Sequence, residues 1–231
     1  MTHGRLSIVI PTLNEGGNVA RLLGEIAAQD VPCQVIVADG GSDDNTVAAA
    51  RSTGAMVVAA PRGRGRQLRA GAAAADGDVL LFLHADSRLG PGALAALRHA
   101  LAERPDAAGG NFRILFDGDG AFDRWLERAY GWWRGHGFYY GDSGIFARRT
   151  VYERIGGIGA VALMEDYDFV RRLERAGPTL CIHEPPLVTS SRKFRRRNKI
   201  AVVSGWLWLH ALWHLGVSPD RLARLYYGRR G

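Results

Sequence analysis

Five short polar clusters hold the residues that could do chemistry, and four of them stand directly behind an apolar run. They are "PTLNEGGN" (11–18), "DGGSDDNT" (39–46), "PRGRGRQ" (61–67), "HADSRL" (84–89) and, further on, "MEDYD" (164–168). A carboxylate such as Asp39 at a strand end accepts hydrogen bonds from a ribose or a base, and Gly40 and Gly41 behind it let a ligand approach the backbone. Asp86 suits a divalent cation, because Mg²⁺ or Mn²⁺ on a nucleoside diphosphate needs only one or two protein carboxylates. Carboxylates mixed with the arginines of "PRGRGRQ" favour a metal-bridged phosphate ligand over an apolar one. Each cluster also has a plainer reading. Asp39 or Ser42 could cap a helix in a βα turn, Asp86 could cap the helix after Pro91, and Glu165 and Asp166 could be the acids of a first helical turn.

The elements that must position these clusters are legible. "LSIVI" (6–10), "QVIVA" (34–38), "AMVVAA" (55–60) and "VLLFL" (79–83) are near-continuously apolar, as parallel strands covered on both faces are. Helical patterns lie between them, so the spacing predicts a βαβ series and a doubly wound, mostly parallel sheet flanked by helices. The ligand crevice of such a sheet lies beyond the carboxyl ends of its strands, where the polar clusters fall. In the second half "AAGGNFRILF" (107–116) reads as a strand, "AFDRWLERAYGWWRG" (121–135) as an amphipathic helix and "LMEDYDFVRRLERAG" (163–177) as a helix stopped by Gly177. "GIGAVA" (157–162) matches G-x-G-x-x-A but follows a helical pattern, so it reads as a helix stop and turn; no P-loop is present in the sequence. One domain is expected, with a nucleotide-binding half over about 1–90, an acceptor half over about 91–190 and a basic, tryptophan-rich helical segment over about 191–231.

Composition narrows the partners. The chain has 231 residues, 47% hydrophobic and 23% charged, with a formal charge of +7. Its basic residues cluster at Arg62–Arg69 and again within 192–199, which points to a polyanionic partner: nucleotide phosphates, anionic lipid headgroups or nucleic acid. Cys33 and Cys181 sit in apolar runs without motif spacing and read as buried hydrophobes of a reducing compartment. The apolar run at the N-terminus is too short for a signal peptide, so a cytoplasmic protein is expected. From Ile200 to Val217 an apolar stretch with three tryptophans contains His210 and His214. It fits an interfacial helix against the inner face of the membrane, or a helix packed on the domain or on a second copy in a homodimer. The basic run before it fits a cover over a phosphate site.

"IPTLNE", "ADGGSDDNT", "RGRGRQ", "FLHADSRL" and "LMEDYDFVRRL" resemble, in order and approximate spacing, the motifs of family 2 glycosyltransferases with the GT-A fold. The similarity runs over about residues 5–228, and "HAD", "MED" and "GVSPDRLARLYY" resemble the small bacterial arsenosugar-biosynthesis-type group. The resemblance implies an inverting transfer of a sugar from a UDP- or GDP-linked donor to an acceptor hydroxyl, assisted by Mn²⁺ or Mg²⁺. It implies that Pro11, Asn14, Glu15, Asp39 and Ser42 line the nucleoside pocket, with Arg62 and Arg66 near the base or diphosphate. His84 and Ala85 would stand on the donor side of Asp86, the metal ligand, and Asp166 would be the general base with Glu165 raising its pKa. The acceptor pocket would be built around Asp142 and Tyr140, with Tyr139, Trp132 and Trp133 as stacking or core residues. The fold's widespread metal motif has aspartate at both ends, whereas this chain has His84 at the first; His183 is a candidate extra ligand. Two competing readings are a nucleotidyltransferase that makes the nucleotide-sugar and a non-catalytic binder of anionic surfaces. The glycosyltransferase reading includes no nucleic-acid partner.

Overall fold

The computed structural model describes residues 4–191 and 198–228. Four parallel strands form one side of an eight-stranded sheet: β1 (Leu6–Thr12), β2 (Cys33–Asp39), β3 (Met56–Ala59) and β4 (Val79–Phe82). The continuous apolar runs form these strands because both faces are covered. Ile8 and Ile10 pack with Val19, Leu22 and Ile26 of α1 (Gly16–Ala27) and with Leu94 and Leu97 of α4 (Ala93–Glu103). On the opposite face Val9, Leu80 and Phe82 pack with Leu68 of α3 (Arg64–Ala74) and with Phe169, Val170 and Leu173 of α7 (Glu165–Ala176). Between β2 and β3 lies the short α2 (Thr46–Ser52).

The second half departs from a uniformly parallel sheet. β7 (Ile145–Arg148) joins β4 antiparallel and continues directly into α6 (Arg149–Arg154). Beyond β7 come β6 (Gly109–Phe116), β8 (Thr179–Thr189) and the two-residue β5 (Arg88–Leu89). β6 and β8 run parallel, while β6–β7 and β5–β8 are antiparallel. β8 is 11 residues long. Its pairing with β6 passes from Phe112–Ile182 to Ile114–Leu187, so the stretch His183–Pro186 stands outside the ladder. Pro185 and Pro186 have no N–H to give that ladder.

α5 (Ala121–Gly135) occupies the predicted span, and "GIGAVA" is a turn region in which Gly157 has φ 65°. At the C-terminus α8 (Lys199–His214), capped by Asn198, and α9 (Pro219–Tyr227) lie against the domain. Leu209 and Leu222 pack there with Met164 and Tyr167. No helix among the described residues is long and apolar enough to cross a membrane. α8 nevertheless leaves Ile200, Leu207, Trp208 and Leu215 exposed. The basic run 192–197, expected to cover a phosphate site, lies outside the described residues.

Candidate active site

The parallel strands bring the first two clusters together. Asp39, at the end of β2, is buried, and its carboxylate accepts from the Gly41 N–H (3.0 Å), the Ser42 N–H (2.9 Å), the Ser42 hydroxyl (2.5 Å) and the Thr12 hydroxyl (3.2 Å). Burial alone would raise its pKa; the hydrogen bonds from Ser42, Gly41 and Thr12 outweigh it and hold the carboxyl below the usual range. Asn14, with φ 55°, ties the loops of β1 and β2 twice. Its N–H donates to the Ser42 hydroxyl (2.9 Å), and its side-chain oxygen accepts the Asp43 N–H (2.8 Å). Asn is among the few residues that occupy this left-handed conformation readily. Glu15 accepts from the Asn18 amide (2.5 Å), and Pro11 stands in register with Ala38 on β2, beyond the last β4 pair at Val9–Phe82. A proline is admissible in this central strand because the β4 ladder has already ended.

The third cluster contributes differently from expectation. Arg62 and Arg66 are exposed, and it is Arg64, at the first turn of α3, that reaches across the fold. Its Nε donates to Glu165, and its Nη2 lies 3.4 Å from Asp166 Oδ2. Gly65 permits this approach: a Cβ there would lie 2.5 Å from the Gly159 carbonyl oxygen and 2.8 Å from that of Val161. Gln67, buried one turn on, donates to the carbonyls of Thr12 (2.6 Å) and Ala38 (3.0 Å) and so pins α3 to the ends of β1 and β2. Sequence reasoning missed both Arg64 and Gln67. The only signal was their place inside a glycine-spaced polar loop.

Asp166 opens α7 behind Met164, whose φ of 64° is left-handed, and such strain in a non-glycine residue costs on the order of 1–3 kcal/mol and gathers at functional sites. The Asp166 carboxylate accepts the Gly141 N–H (2.9 Å) and the Tyr167 N–H (2.8 Å). A Cβ on Gly141 would lie 3.0 Å from His84 Nε2 and 3.2 Å from Asp166 Oδ2, so the imidazole and the carboxylate flank the same backbone atom. The two neighbouring carboxyls, expected to raise each other's pKa, do so on one side only. Burial raises Glu165 and Asp166 adds to it, against the opposing pull of Arg64. At Asp166 burial is outweighed by Arg64, by the two backbone N–H groups and by His84, and its carboxyl is held below the ordinary range. Asp142 accepts from the Tyr130 hydroxyl (3.0 Å), and the Tyr140 hydroxyl pairs with His210 Nε2 (3.1 Å). Tyr139 is core, beneath the Arg134 guanidinium; Trp132 and Trp133 line a cavity with Tyr140.

His84 to Ser87 make a turn closed by the Ser87 N–H on the His84 carbonyl (3.0 Å), with Ala85 buried and Asp86 half-buried. Asp86 lines a cavity of about 320 Å³ with Asn18, Arg21, Asp117 and Thr189. No group of three or more metal-ligating side chains occurs among the described residues. Asp86 with Asp117 nearby still fits a divalent cation whose remaining ligands are phosphate oxygens and water, the usual arrangement for Mg²⁺ on a nucleotide. His183 lines another cavity with Asn111, Arg113 and Arg134, apart from those residues.

A parallel-sheet edge lined by a hydrogen-bonded strand-end aspartate, arginines and a clamped carboxylate is the candidate site. The sequence profile described as Glycosyl transferase family 2 matches residues 7–156, and the chain belongs to that family. A 4,4'-diaponeurosporenoate glycosyltransferase of Staphylococcus aureus (strain MRSA252) is 48% identical over 56 residues, a match covering 24% of this chain and 15% of that protein. Among solved structures, the mannosyltransferase PcManGT of Pyrobaculum calidifontis, in complex with GDP-Man and Mn²⁺, is similar with a TM-score of 0.67 at 19% identity, over 92% of this chain and 63% of that one. Glucosyl-3-phosphoglycerate synthase of Mycobacterium tuberculosis, in complex with Mn²⁺, UDP and glucosyl-3-phosphoglycerate, gives 0.64 at 20% identity over 93% and 81%. S. aureus TarS 1-349 with UDP-GlcNAc gives 0.63 at 16% over 81% and 59%. The fold is that of the GT-A glycosyltransferases.

Proposed function

We propose that the protein transfers a sugar from a UDP- or GDP-linked donor to an acceptor hydroxyl with inversion at the anomeric carbon. The observation that carries this reading is the clamp on Asp166: a carboxylate ionised well below neutral pH, aimed beside His84 at the strand ends where the donor loops converge. In the proposed step the acceptor oxygen attacks the anomeric carbon, and its proton passes to Asp166. The bond from that carbon to the diphosphate oxygen breaks, and the nucleoside diphosphate leaves with the electron pair. Single displacement needs one base and no protein nucleophile. Glu165, only 2% exposed and engaged by Arg64, has the geometry of a positioning residue instead. Asp39 and Ser42 bind the nucleoside end, with Pro11, Asn14 and Glu15 shaping that loop; exposed Arg62 and Arg66 stand where a diphosphate would lie. Asp86, with Asp117, would hold Mn²⁺ or Mg²⁺, which when bound supplies charge neutralisation at the leaving diphosphate. The Mn²⁺ complexes of the mannosyltransferase and of the phosphoglycerate synthase support this. The exposed apolar residues of α8 support peripheral contact with an anionic bilayer surface.

Titration calorimetry of UDP- and GDP-sugars with and without Mn²⁺, repeated on Asp86→Asn, tests donor and cation together. Binding should need Mn²⁺ and weaken in Asp86→Asn; metal-dependent binding unchanged in that variant removes Asp86 from the cation site. Asp166→Asn should lower release of nucleoside diphosphate by about 10²–10⁴-fold, the range that general-base catalysis supplies. Full turnover by Asp166→Asn would refute the base assignment, and pyrophosphate release from a nucleoside triphosphate would favour a nucleotidyltransferase.

A further inference from the structure

A second cavity begins one residue away from the Asp166 carboxylate. Two pairs of chain neighbours straddle the boundary. Gly141 and Asp166 meet through the N–H···O bond at 2.9 Å, while the residues adjoining them, Tyr140 and Tyr167, are part of the wall of a cavity of about 380 Å³. These two rings stack with centroids 6.3 Å apart and planes at 20°. The far wall comes from α5 and α8 and includes Trp133, Trp206 and Leu207. The volume is within the roughly 300–1,000 Å³ of ligand pockets.

The chemistry of the lining decides what fits. No Asp, Glu, Lys or Arg is found among the described residues that line it, and its tyrosine hydroxyls are already engaged. Tyr140 pairs with His210 (3.1 Å), Tyr167 with His214 (3.0 Å) and Tyr130 with Asp142 (3.0 Å). A sugar acceptor would bury hydroxyls against a wall that is mostly aromatic and aliphatic carbon and whose three tyrosine hydroxyls are each already paired, and every hydroxyl left unpaired there weakens binding. An apolar body loses nothing there and gains aromatic contact. We propose that this cavity is the acceptor site and that the acceptor is an apolar alcohol whose chain lies between α5 and α8, its oxygen at Asp166. The proposal rests on the transferase reading above. In the step, the alcohol oxygen bonds to the anomeric carbon, its proton goes to Asp166, and the nucleoside diphosphate departs with the electrons of the broken bond.

The test uses the full chain with free primary alcohols from butanol to decanol, and glycerol and methyl glucoside as polar controls. Quenching of tryptophan fluorescence reads binding, and release of nucleoside diphosphate from the donor with Mn²⁺ reads transfer. Affinity should rise about fourfold per added methylene, the equivalent of about 0.8 kcal/mol, and the longer alcohols should raise nucleoside diphosphate release above that with water alone. Leu207→Glu and Trp132→Ala alter the cavity rim at residues 64% and 65% exposed, where folding is least at risk, and each should lower affinity for the longest alcohol by tenfold or more without weakening donor binding. Donor binding with no dependence on chain length, with an equal response to methyl glucoside, or with unchanged alcohol affinity in both variants overturns the apolar acceptor site and leaves the transferase reading standing. So does a chain-length dependence in binding with no gain in transfer. Absent donor binding with the chain-length dependence intact refutes the transferase reading and shows an apolar pocket that is not an acceptor site.

Discussion

Replacing Arg64 by methionine keeps most of the stem and removes the charge that faces Glu165 and Asp166. Glu165 is 2% exposed, so the variant leaves a buried carboxyl with only another carboxyl beside it. Removing one partner of a fully buried ion pair costs about 3–5 kcal/mol. Arg64 is 39% exposed, and solvent screening on its side reduces the expected loss to roughly 1–2 kcal/mol. For a chain of this size that corresponds to a fall of about 2–8 °C in Tm. The loss should depend on pH, and both carboxyls give it the same sign. Glu165 has a raised pKa, so its contribution is fully present below the ordinary carboxyl range and is lost as pH rises through the folded value; without Arg64 that value climbs and the loss at neutral pH deepens. Asp166 has a lowered pKa, so its contribution is present above the ordinary range, and part of it disappears with Arg64. Thermal unfolding of Arg64→Met should therefore show a smaller deficit at about pH 4.5, where the Asp166 share is already present and Glu165 is still protonated, than at about pH 8, where both shares count. The double variant Arg64→Met/Glu165→Gln should recover much of the difference at about pH 8. An equal deficit at both pH values, or a double variant no better than Arg64→Met, would show that Arg64 acts through packing alone.

Three further outcomes follow from neighbouring contacts. Gln67→Ala strips the buried carbonyls of Thr12 and Ala38 of their amide donor and should cost about 1–3 kcal/mol in urea unfolding, with weaker donor binding because both strand ends carry the nucleoside loop. Gly65→Ala would push a methyl into the Gly159 and Val161 carbonyls, so a loss of about 1–3 kcal/mol and reduced turnover are expected, and wild-type turnover would show that α3 need not touch the α7 loop. Burial, then His214, lowers the pKa of His210 from 6.5, so its contribution to stability is full above that value and is lost as pH falls through the lower folded value. His210→Phe should flatten that part of the stability profile, and an unchanged profile would count against the His210–Tyr140 tie.

Local pattern specified the elements well wherever burial was uniform. "LSIVI", "QVIVA" and "VLLFL" are near-continuously apolar because helices cover both faces of the sheet, and α5 was legible to its last residue from its apolar stripe. β8 was not legible, because Pro185 and Pro186 break the pattern of a strand that resumes its pairing at Leu187. The arginine loop shows the harder limit. Arg62, Arg64 and Arg66 are equivalent in sequence, and only the start of α3 at Arg64, with Glu165 brought near from 101 positions away, selects the middle one. Gln67 gave less still, since an uncharged side chain in a basic loop announces no partner. Asp39 was singled out as a carboxylate behind an apolar strand and Asp166 through the family resemblance, and the sequence alone left each a plainer reading, as a cap in a βα turn and as an acid of a first helical turn.

The C-terminal helix joins both lessons. α8 is apolar on most of its circumference, so periodicity could not say which face was buried. In the fold, the spacing of four between His210 and His214 places them on one face, one turn apart, and each meets a tyrosine hydroxyl beside Asp166: Tyr140, next to Gly141, and Tyr167, next to Asp166 itself. The helix is thereby fixed against the catalytic elements by polar contacts and closes the aromatic cavity with Trp206 and Leu207, while Ile200, Trp208 and Leu215 remain outside. A helix apolar on most of its circumference is what this double duty requires. On the reading proposed above, one face excludes water from the acceptor side of Asp166 and the other is left to meet an apolar surface.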